Sequence, residues 1–334
     1  MLAVVQGDLV AHTTRDRFTL RWIVEKYEGS SDFRALATAS QKKAKTTRRI
    51  LDHELTISGR PGHLGDLFIK EITHPLLRQV REKRLADMVA RGHDGKSHCN
   101  REIAFLSAAT QWARGMYEEV EGNPIRGLPS LRENERDRYV TDSEYFNQLE
   151  VAKEITDYLP VVMELTYLFA ARGIEVLDLE IRHTRVVNED GRRVVQVARR
   201  KGSRTTWIEC NDRVDEAIEA AMALHKKRKI SGKYLVPGVR GAKLIKSTLD
   251  DAMGCLKKRM AELDMKSTWT RSDGQDEDES LMYWTLHDLK RKGISDSKNK
   301  RIGGHKSEVM RQRYNVKNET FEAPSKPDLL PKQS

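Results

Sequence analysis

Apolar residues recur at helical spacing through the first third of the chain. Leu20, Ile23, Val24 and Tyr27 share one face of a first helix, which Gly29-Ser30-Ser31 ends. A second helix is expected over 40–55, with Ser40 as its N-cap. Leu64-Gly65-Asp66-Leu67, followed by Ile69 and Ile72, reads as a turn feeding a third helix at Pro75, since proline suits the first helical turn. That helix continues through Leu77, Val80, Leu85, Met88 and Val89 and breaks at Gly92. A fourth, from near Ser97, sets Ile103, Leu106, Ala109, Trp112, Ala113 and Met116 at core spacing, and Asn123-Pro124 stops it. Residues 15–125 therefore read as all-helical.

The pattern then changes. Residues 126–138 are poor in apolar side chains, hold Gly127 and Pro129 and end in a mixed-charge run, which marks a linker. Thr141 and Glu144 fit a capping box. Residues 159–171 are almost wholly apolar and predict a buried helix that ends at Arg172. Residues 180–184 and 193–198 read as strands, Lys201-Gly202-Ser203 as a hairpin turn and 205–208 as the return strand. Helices resume at 214–224 and about 242–263; 270–280 is an acidic loop, and the tail beyond Val316, with Pro324, Pro327 and Pro331, has no helical pattern. The expected fold class is mainly α with a small antiparallel β-sheet (α+β), without internal repeats.

A length of 334 residues suits two domains. Lys and Arg total 60 against 50 Asp and Glu, a formal charge of +10 that favours a polyanionic partner, nucleic acid ahead of a membrane surface. No apolar run approaches the roughly 20 residues of a membrane span, and the start at Met1 lacks the basic region of a secretory signal. Cys99, Cys210 and Cys255 are far apart, so neither a disulfide framework nor a zinc site is signalled, and a cytoplasmic protein fits. Lys42, Lys43, Lys45, Arg48 and Arg49 crowd one expected helix, a solvated face unless the rest of the chain handles DNA.

Two places carry candidate chemistry. Gly303-Gly304 frees a tight turn at His305, after which Val309, Met310, Arg313 and Tyr314 read as a short helix with Val309 and Met310 on its apolar side. Tyr314 then lies among Arg311 and Arg313, a setting that favours a phenolate and hence a nucleophile; a buried structural tyrosine is the competing reading. Arg172 ends an apolar helix and must be paired or functional, with Glu175 three residues on to hold it. Taken alone, these two residues favour a buried structural ion pair.

Taken together, these motifs resemble those of the tyrosine recombinases, the phage-integrase family. Ala170-Ala171-Arg172-Gly173-Ile174-Glu175-Val176-Leu177 resembles the first arginine motif, Lys201 the lysine of a β-hairpin turn, and His287-Asp288-Leu289-Lys290 the His-x-x-Arg box. Gly304-His305 with Tyr314 nine residues later resembles the box that ends in the nucleophile. The resemblance implies a helical core-binding domain over 18–125, the linker, a catalytic domain over 139–317 and a tail over 318–334, with 1–17 a leader or remnant of an N-terminal module. The two domains would form a C-shaped DNA clamp, and the cations at 42, 43, 45, 48 and 49 would contact phosphates.

The same resemblance implies a site-specific recombinase that cleaves and rejoins DNA through a 3′-phosphotyrosyl intermediate, with neither metal nor cofactor. Tyr314 attacks, Arg172 binds the phosphate oxygens, His287 and His305 add hydrogen bonds, His287 accepts the tyrosine proton and Lys201 protonates the leaving 5′-oxygen. Implied partners are double-stranded attachment sites, three further copies in a homotetramer, and a host bending protein or directionality factor, in a bacterial cytoplasm. Three departures stand out. Lys290 occupies the second arginine position with Arg291 beside it, His287 and His305 are closer than usual, and Ala170 replaces a common glycine. A weakened or inactive DNA-binding relative, a transposon or plasmid-resolution recombinase and a type IB topoisomerase remain as alternatives.

Overall fold

The computed structural model describes residues 17–57, 60–133, 138–200, 202–266 and 284–314. The leader through residue 16, Lys201, the acidic 270–280 loop and the 318–334 tail therefore lie outside the described residues. The chain divides into two compact units, Met1–Glu135 and Arg136–Ser334, each with its own apolar core.

The first unit contains α1 (Leu20–Glu28), α2 (Ser31–Arg34), α3 (Thr38–Thr47), β1 (Glu54–Ile57), β2 (Arg60–His63), α4 (His74–Ala90) and α5 (Lys96–Met116). Thr19 caps α1 by accepting the Trp22 N–H at 3.3 Å. Leu20, Ile23 and Val24 are fully buried, as are Leu106, Ala109 and Ala113 of α5, which packs on α1. Each of the larger buried aliphatic side chains contributes about 1.5–3 kcal/mol.

The expected second helix forms over its first half only, and the all-helical expectation fails beyond Thr47. α3 starts at Thr38 rather than at Ser40, and Gln41 Nε2 donates to Arg34 O (3.0 Å) and Leu36 O (2.8 Å) to close the preceding turn. It stops at Thr47, whose hydroxyl bonds back to Lys43 O and Ala44 O, and a 3₁₀ turn over Arg48–Asp52 then buries Ile50 and Leu51. Glu54-Leu55-Thr56-Ile57 alternates polar and apolar, a two-residue period realised by antiparallel pairing of Glu54 with His63 and Leu55 with Gly62. The front of the expected linker is also folded: Ile125 and Leu128 are buried, and Asn100 exchanges hydrogen bonds with Leu131 at 2.9 and 2.8 Å.

The second unit begins with α6 (Asp142–Ile155), where Thr141 N–H donates to Glu144 Oε2 at 3.0 Å and Glu144 N–H to Thr141 Oγ1 at 3.3 Å, the expected capping box. α7 (Leu159–Leu168) is the core helix, with Leu159, Val162, Met163 and Leu165 fully buried. It ends earlier than the apolar run because Ala170 turns into the left-handed region at φ 45. α8 (Gly173–Leu177) follows.

Residues 180–184 form no strand. Ile181–Thr184 is a 3₁₀ turn, because His183 Nδ1 accepts the Glu180 N–H and Thr184 Oγ1 donates to Ile181 O, local bonds that outcompete a ladder. The sheet is β3 (Val186–Val187), β4 (Arg193–Val197) and β5 (Thr206–Glu209), antiparallel in that order, with Val195 opposite Ile208 and Val197 opposite Thr206. α9 (Asp212–Arg228), α10 (Lys246–Glu262), α11 (Leu286–Asp296) and α12 (Glu308–Tyr314) complete the unit.

Candidate functional site

Arg172 is the N-cap of α8, and Glu175 is its capping partner. The Arg172 N–H donates to Glu175 Oε2 at 2.9 Å and Arg172 Nη1 to Glu175 Oε1 at 2.5 Å. The Arg200 N–H adds a bond to Oε1 at 3.0 Å. Burial pushes the Glu175 carboxyl up, but the backbone bonds from Arg172 and Arg200, the Arg172 side chain and the Lys290 charge prevail, and its pKa falls to about 2. Glu175 is thus a fixed anion that orients two cations.

The second of these cations is Arg199, which carried no role in the sequence reading. Its guanidinium is fully buried and donates to Ala170 O (3.0 Å), Phe169 O (2.7 Å), Ile302 O (2.7 Å) and Thr206 Oγ1 (2.7 and 3.0 Å), with Glu175 Oε2 at 3.4 Å. Burial lowers its pKa to about 10 against the pull of Glu175. The signal for it is the strand period: Val195, Val197 and Arg199 follow one another at every second residue, and all three are buried.

α11 brings His287, Lys290 and Arg291 to the same place. Asp288 Oδ2 accepts from Thr285 N–H at 2.8 Å and from its hydroxyl at 2.9 Å, fixing the start of the helix. Gly293 lets α11 press against α7: a Cβ there would stand 2.2 Å from Tyr167 O. One turn along, Lys292 Nζ meets Asp142 (2.6 Å), Asp296 (2.9 Å) and the Tyr139 hydroxyl (3.1 Å), so this buried lysine is structural.

The last part of the site is the Gly303-Gly304 turn. Gly304 has φ 72 and its carbonyl accepts the Arg204 N–H at 3.1 Å; a Cβ would meet Arg204 O at 2.7 Å. His305 follows, buried, with its ring centre 4.2 Å from that of Tyr314, and His287 approaches the same ring at 5.4 Å. Arg291 Nη2 donates to Arg313 O and Ser295 Oγ to Tyr314 O, both at 3.3 Å, which holds the carboxyl end of α12 on α11. Lys290 Nζ and the Arg291 guanidinium lie 5.4 and 5.6 Å from the Tyr314 ring centre.

The site's electrostatics follow from burial under many cations. Burial first, then Lys290, Arg172 and Arg199, lowers the His305 pKa to about 4, opposed by Glu175. His287 is open to solvent on one side, yet the protein packed around the rest of it and the charges of Arg291, Lys290 and Arg172 bring it to about 4 against Asp288. Lys290 is fully buried and falls to about 7 through burial and the charges of Arg172 and Arg199, Glu175 opposing. Lys290 Nζ and both His305 ring nitrogens are buried without a hydrogen-bond partner among the described residues. Unpaired buried polar atoms are rare and cluster where chemistry is done.

Arg172, Glu175, His287, Lys290, Arg291, His305 and Tyr314 thus converge on one basic pocket, whereas Lys201 falls outside the described residues. A cleft of about 600 Å³ opens beside Arg172 and His287, walled by Leu249, Met253 and Leu286. Val309 and Met310 are exposed, at 73% and 37%, so they are not the buried face expected of α12. In the first unit Lys42, Lys43, Lys45 and Arg49 are exposed, while Arg48 is held by Glu28 at 2.8 Å. Among the described residues no group of three His, Cys, Asp or Glu side chains could hold a metal ion, and no helix is long and apolar enough to cross a membrane.

No protein-family model matches the sequence, and none of the curated proteins matches it. Solved structures do. A lambda integrase dimer bound to a COC′ core site superposes with a TM-score of 0.68 at 13% identity, covering 94% of this chain and 82% of that one. The fold is that of the tyrosine recombinases. A lambda integrase tetramer bound to a Holliday junction matches at 0.66 and 13% identity, over 92% of this chain and 80% of the other. The Tn1549 transposon integrase in complex with a circular intermediate DNA matches at 0.64 and 15% identity, over 91% and 96%. The tyrosine-recombinase fold thus extends over both units, and its mainly helical, small-sheet architecture is the expected fold class.

Proposed function

We propose that the chain is a site-specific DNA recombinase that cleaves and rejoins strands through a 3′-phosphotyrosyl intermediate. The observation that carries this reading is the convergence of His287, Lys290 and His305 on the ring of Tyr314, all three under the charge of Arg172, in a fold shared with DNA-bound integrases. Arg172, held by Glu175, offers planar paired donors to the two free oxygens of the scissile phosphate. His287 and His305, neutral at physiological pH, donate hydrogen bonds where charge builds in the transition state. Tyr314 attacks phosphorus and the 5′-oxygen departs, protonated by Lys201. The phosphotyrosyl bond conserves the energy of the broken one, so rejoining needs no external source. The exposed cations of α3 hold the DNA backbone, and a tetramer on two attachment sites performs the exchange.

The test is covalent trapping on nicked duplexes with a randomised central segment, followed by denaturation and sequencing of the DNA attached to protein. Wild type is expected to give an adduct, and Tyr314→Phe to lower its yield by at least about 10³-fold without loss of DNA binding. Binding without an adduct in wild type would leave a DNA-binding protein that does not cut. Relaxation of supercoils with no exchange between two sites would favour a topoisomerase.

A further inference from the structure

Tyr314 must lose a proton as it attacks, and α11 supplies an acceptor that a second arginine would not. We propose that Lys290 takes this proton, entering the reaction as a neutral amine and leaving it as an ammonium. The inference rests on the reading of Tyr314 as the nucleophile.

Geometry carries it. The Lys290 side chain is fully buried, its Nζ has no hydrogen-bond partner among the described residues, and it faces the Tyr314 ring at 5.4 Å from the centre. The groups facing it are Arg172 and Glu175 at the head of α8, Arg199 after β4, His305 in the turn and Tyr314 on α12, with His287 and Arg291 on its own helix. A permanent ammonium would be a third cation about Glu175, whose oxygens already serve Arg172 and Arg199. Burial and those two guanidiniums bring the amine near pH 7, where a base works best at neutral pH, whereas histidines near 4 are weak acceptors. This transfers to Lys290 the role that the sequence suggested for His287. A guanidinium stays protonated and could not act so.

The step balances. The Tyr314 Oη–P bond forms while the P–O5′ bond breaks, the phenolic proton passes to Lys290 Nζ, and the 5′-oxygen takes a proton from Lys201. The new ammonium then offsets the charge gathering on the phosphate oxygens. In rejoining, the 5′-hydroxyl attacks and returns its proton to Lys201, a new P–O5′ bond forms as the Tyr314–phosphate bond breaks, and Lys290 returns its proton to the phenolate. The replacement of arginine by lysine therefore changes who moves the proton.

The experiment is single-turnover adduct formation on a duplex recovered by the trapping above, for wild type, Lys290→Arg and Lys290→Met across a pH series. The wild-type rate is expected to rise and level off near pH 7, and Lys290→Arg to be about 10²–10³-fold slower at that plateau, without the inflection, while binding the same DNA within about threefold. Lys290→Met is expected to be as slow, to be partly rescued by a small primary amine, and to unfold no earlier than wild type. Lys290→Arg with the wild-type rate and inflection overturns the proposal, as does an unchanged inflection in Lys290→Met. A wild type that binds but forms no adduct sinks the reading of Tyr314 instead.

Discussion

Lys290 threads four methylenes into a site walled from water and ends in an amine with no hydrogen-bond partner among the described residues. Its folded pKa, about 7, lies below the ordinary lysine value. The unfolded chain therefore binds the extra proton between pH 7 and about 10.5, and stability rises with pH across that window. Below pH 7 both states carry the charge and the full desolvation penalty opposes folding. Lys290→Met, close in volume, should thus raise the unfolding free energy by about 2–4 kcal/mol at pH 6, a gain that shrinks toward pH 10. Urea unfolding at the two pH values checks it, and an equal gain at both would mean that the amine is already neutral or solvated. Glu175 has the opposite sign. Its carboxyl is held at about 2, so the stability that it contributes is complete above the ordinary Glu range and is lost as pH falls toward 2.

Arg199 joins more elements than any side chain named in advance. Its donors reach the end of α7 through Phe169 O and Ala170 O, β5 through Thr206 and the 3₁₀ turn before His305 through Ile302 O. Arg199→Met would leave those buried carbonyls unpaired and is expected to cost about 3–5 kcal/mol. The measurement is denaturant unfolding; a loss below about 1 kcal/mol would mean that water replaces the guanidinium. This element-scale wiring is where the sequence was least readable. The capping box at Thr141 and Glu144 and the positive φ at Gly304 were legible because each is settled within a few residues. Arg199 depends on segments 30 and 103 residues away, and only its place in the strand period hinted at burial. The β1–β2 hairpin was hidden because four alternating residues are too few to set a two-residue period apart from a helical one, and Thr47 back-bonding ended the helix early. α12 misled differently: its helical spacing was real, but it is held by the carbonyls at its carboxyl end, and Val309 and Met310 stay exposed.

At the scale of the whole molecule the formal charge of +10 acts on association, and the fold decides which cations are available to it. On α3 and the 3₁₀ turn that follows it the sequence offered five. Arg48 is engaged by Glu28 and lies partly covered, whereas Lys42, Lys43, Lys45 and Arg49 are exposed. Each cation in contact with a backbone phosphate releases condensed counterions, and the binding constant then falls with salt at a slope of about 0.9 per contact. Replacing Lys42, Lys43, Lys45 and Arg49 by Gln should therefore reduce that slope by up to about 3–4 in titrations between about 50 and 200 mM salt. Arg48→Gln alone should leave it nearly unchanged and report its loss through stability, by the roughly 0–1 kcal/mol typical of a surface pair. On DNA at saturating concentration the fourfold variant should still form the Tyr314 adduct at the wild-type rate, since the residues assigned to the chemistry all belong to the second unit. A slope that stays at the wild-type value would return α3 to a solvated face and move the phosphate contacts to other basic residues of the chain.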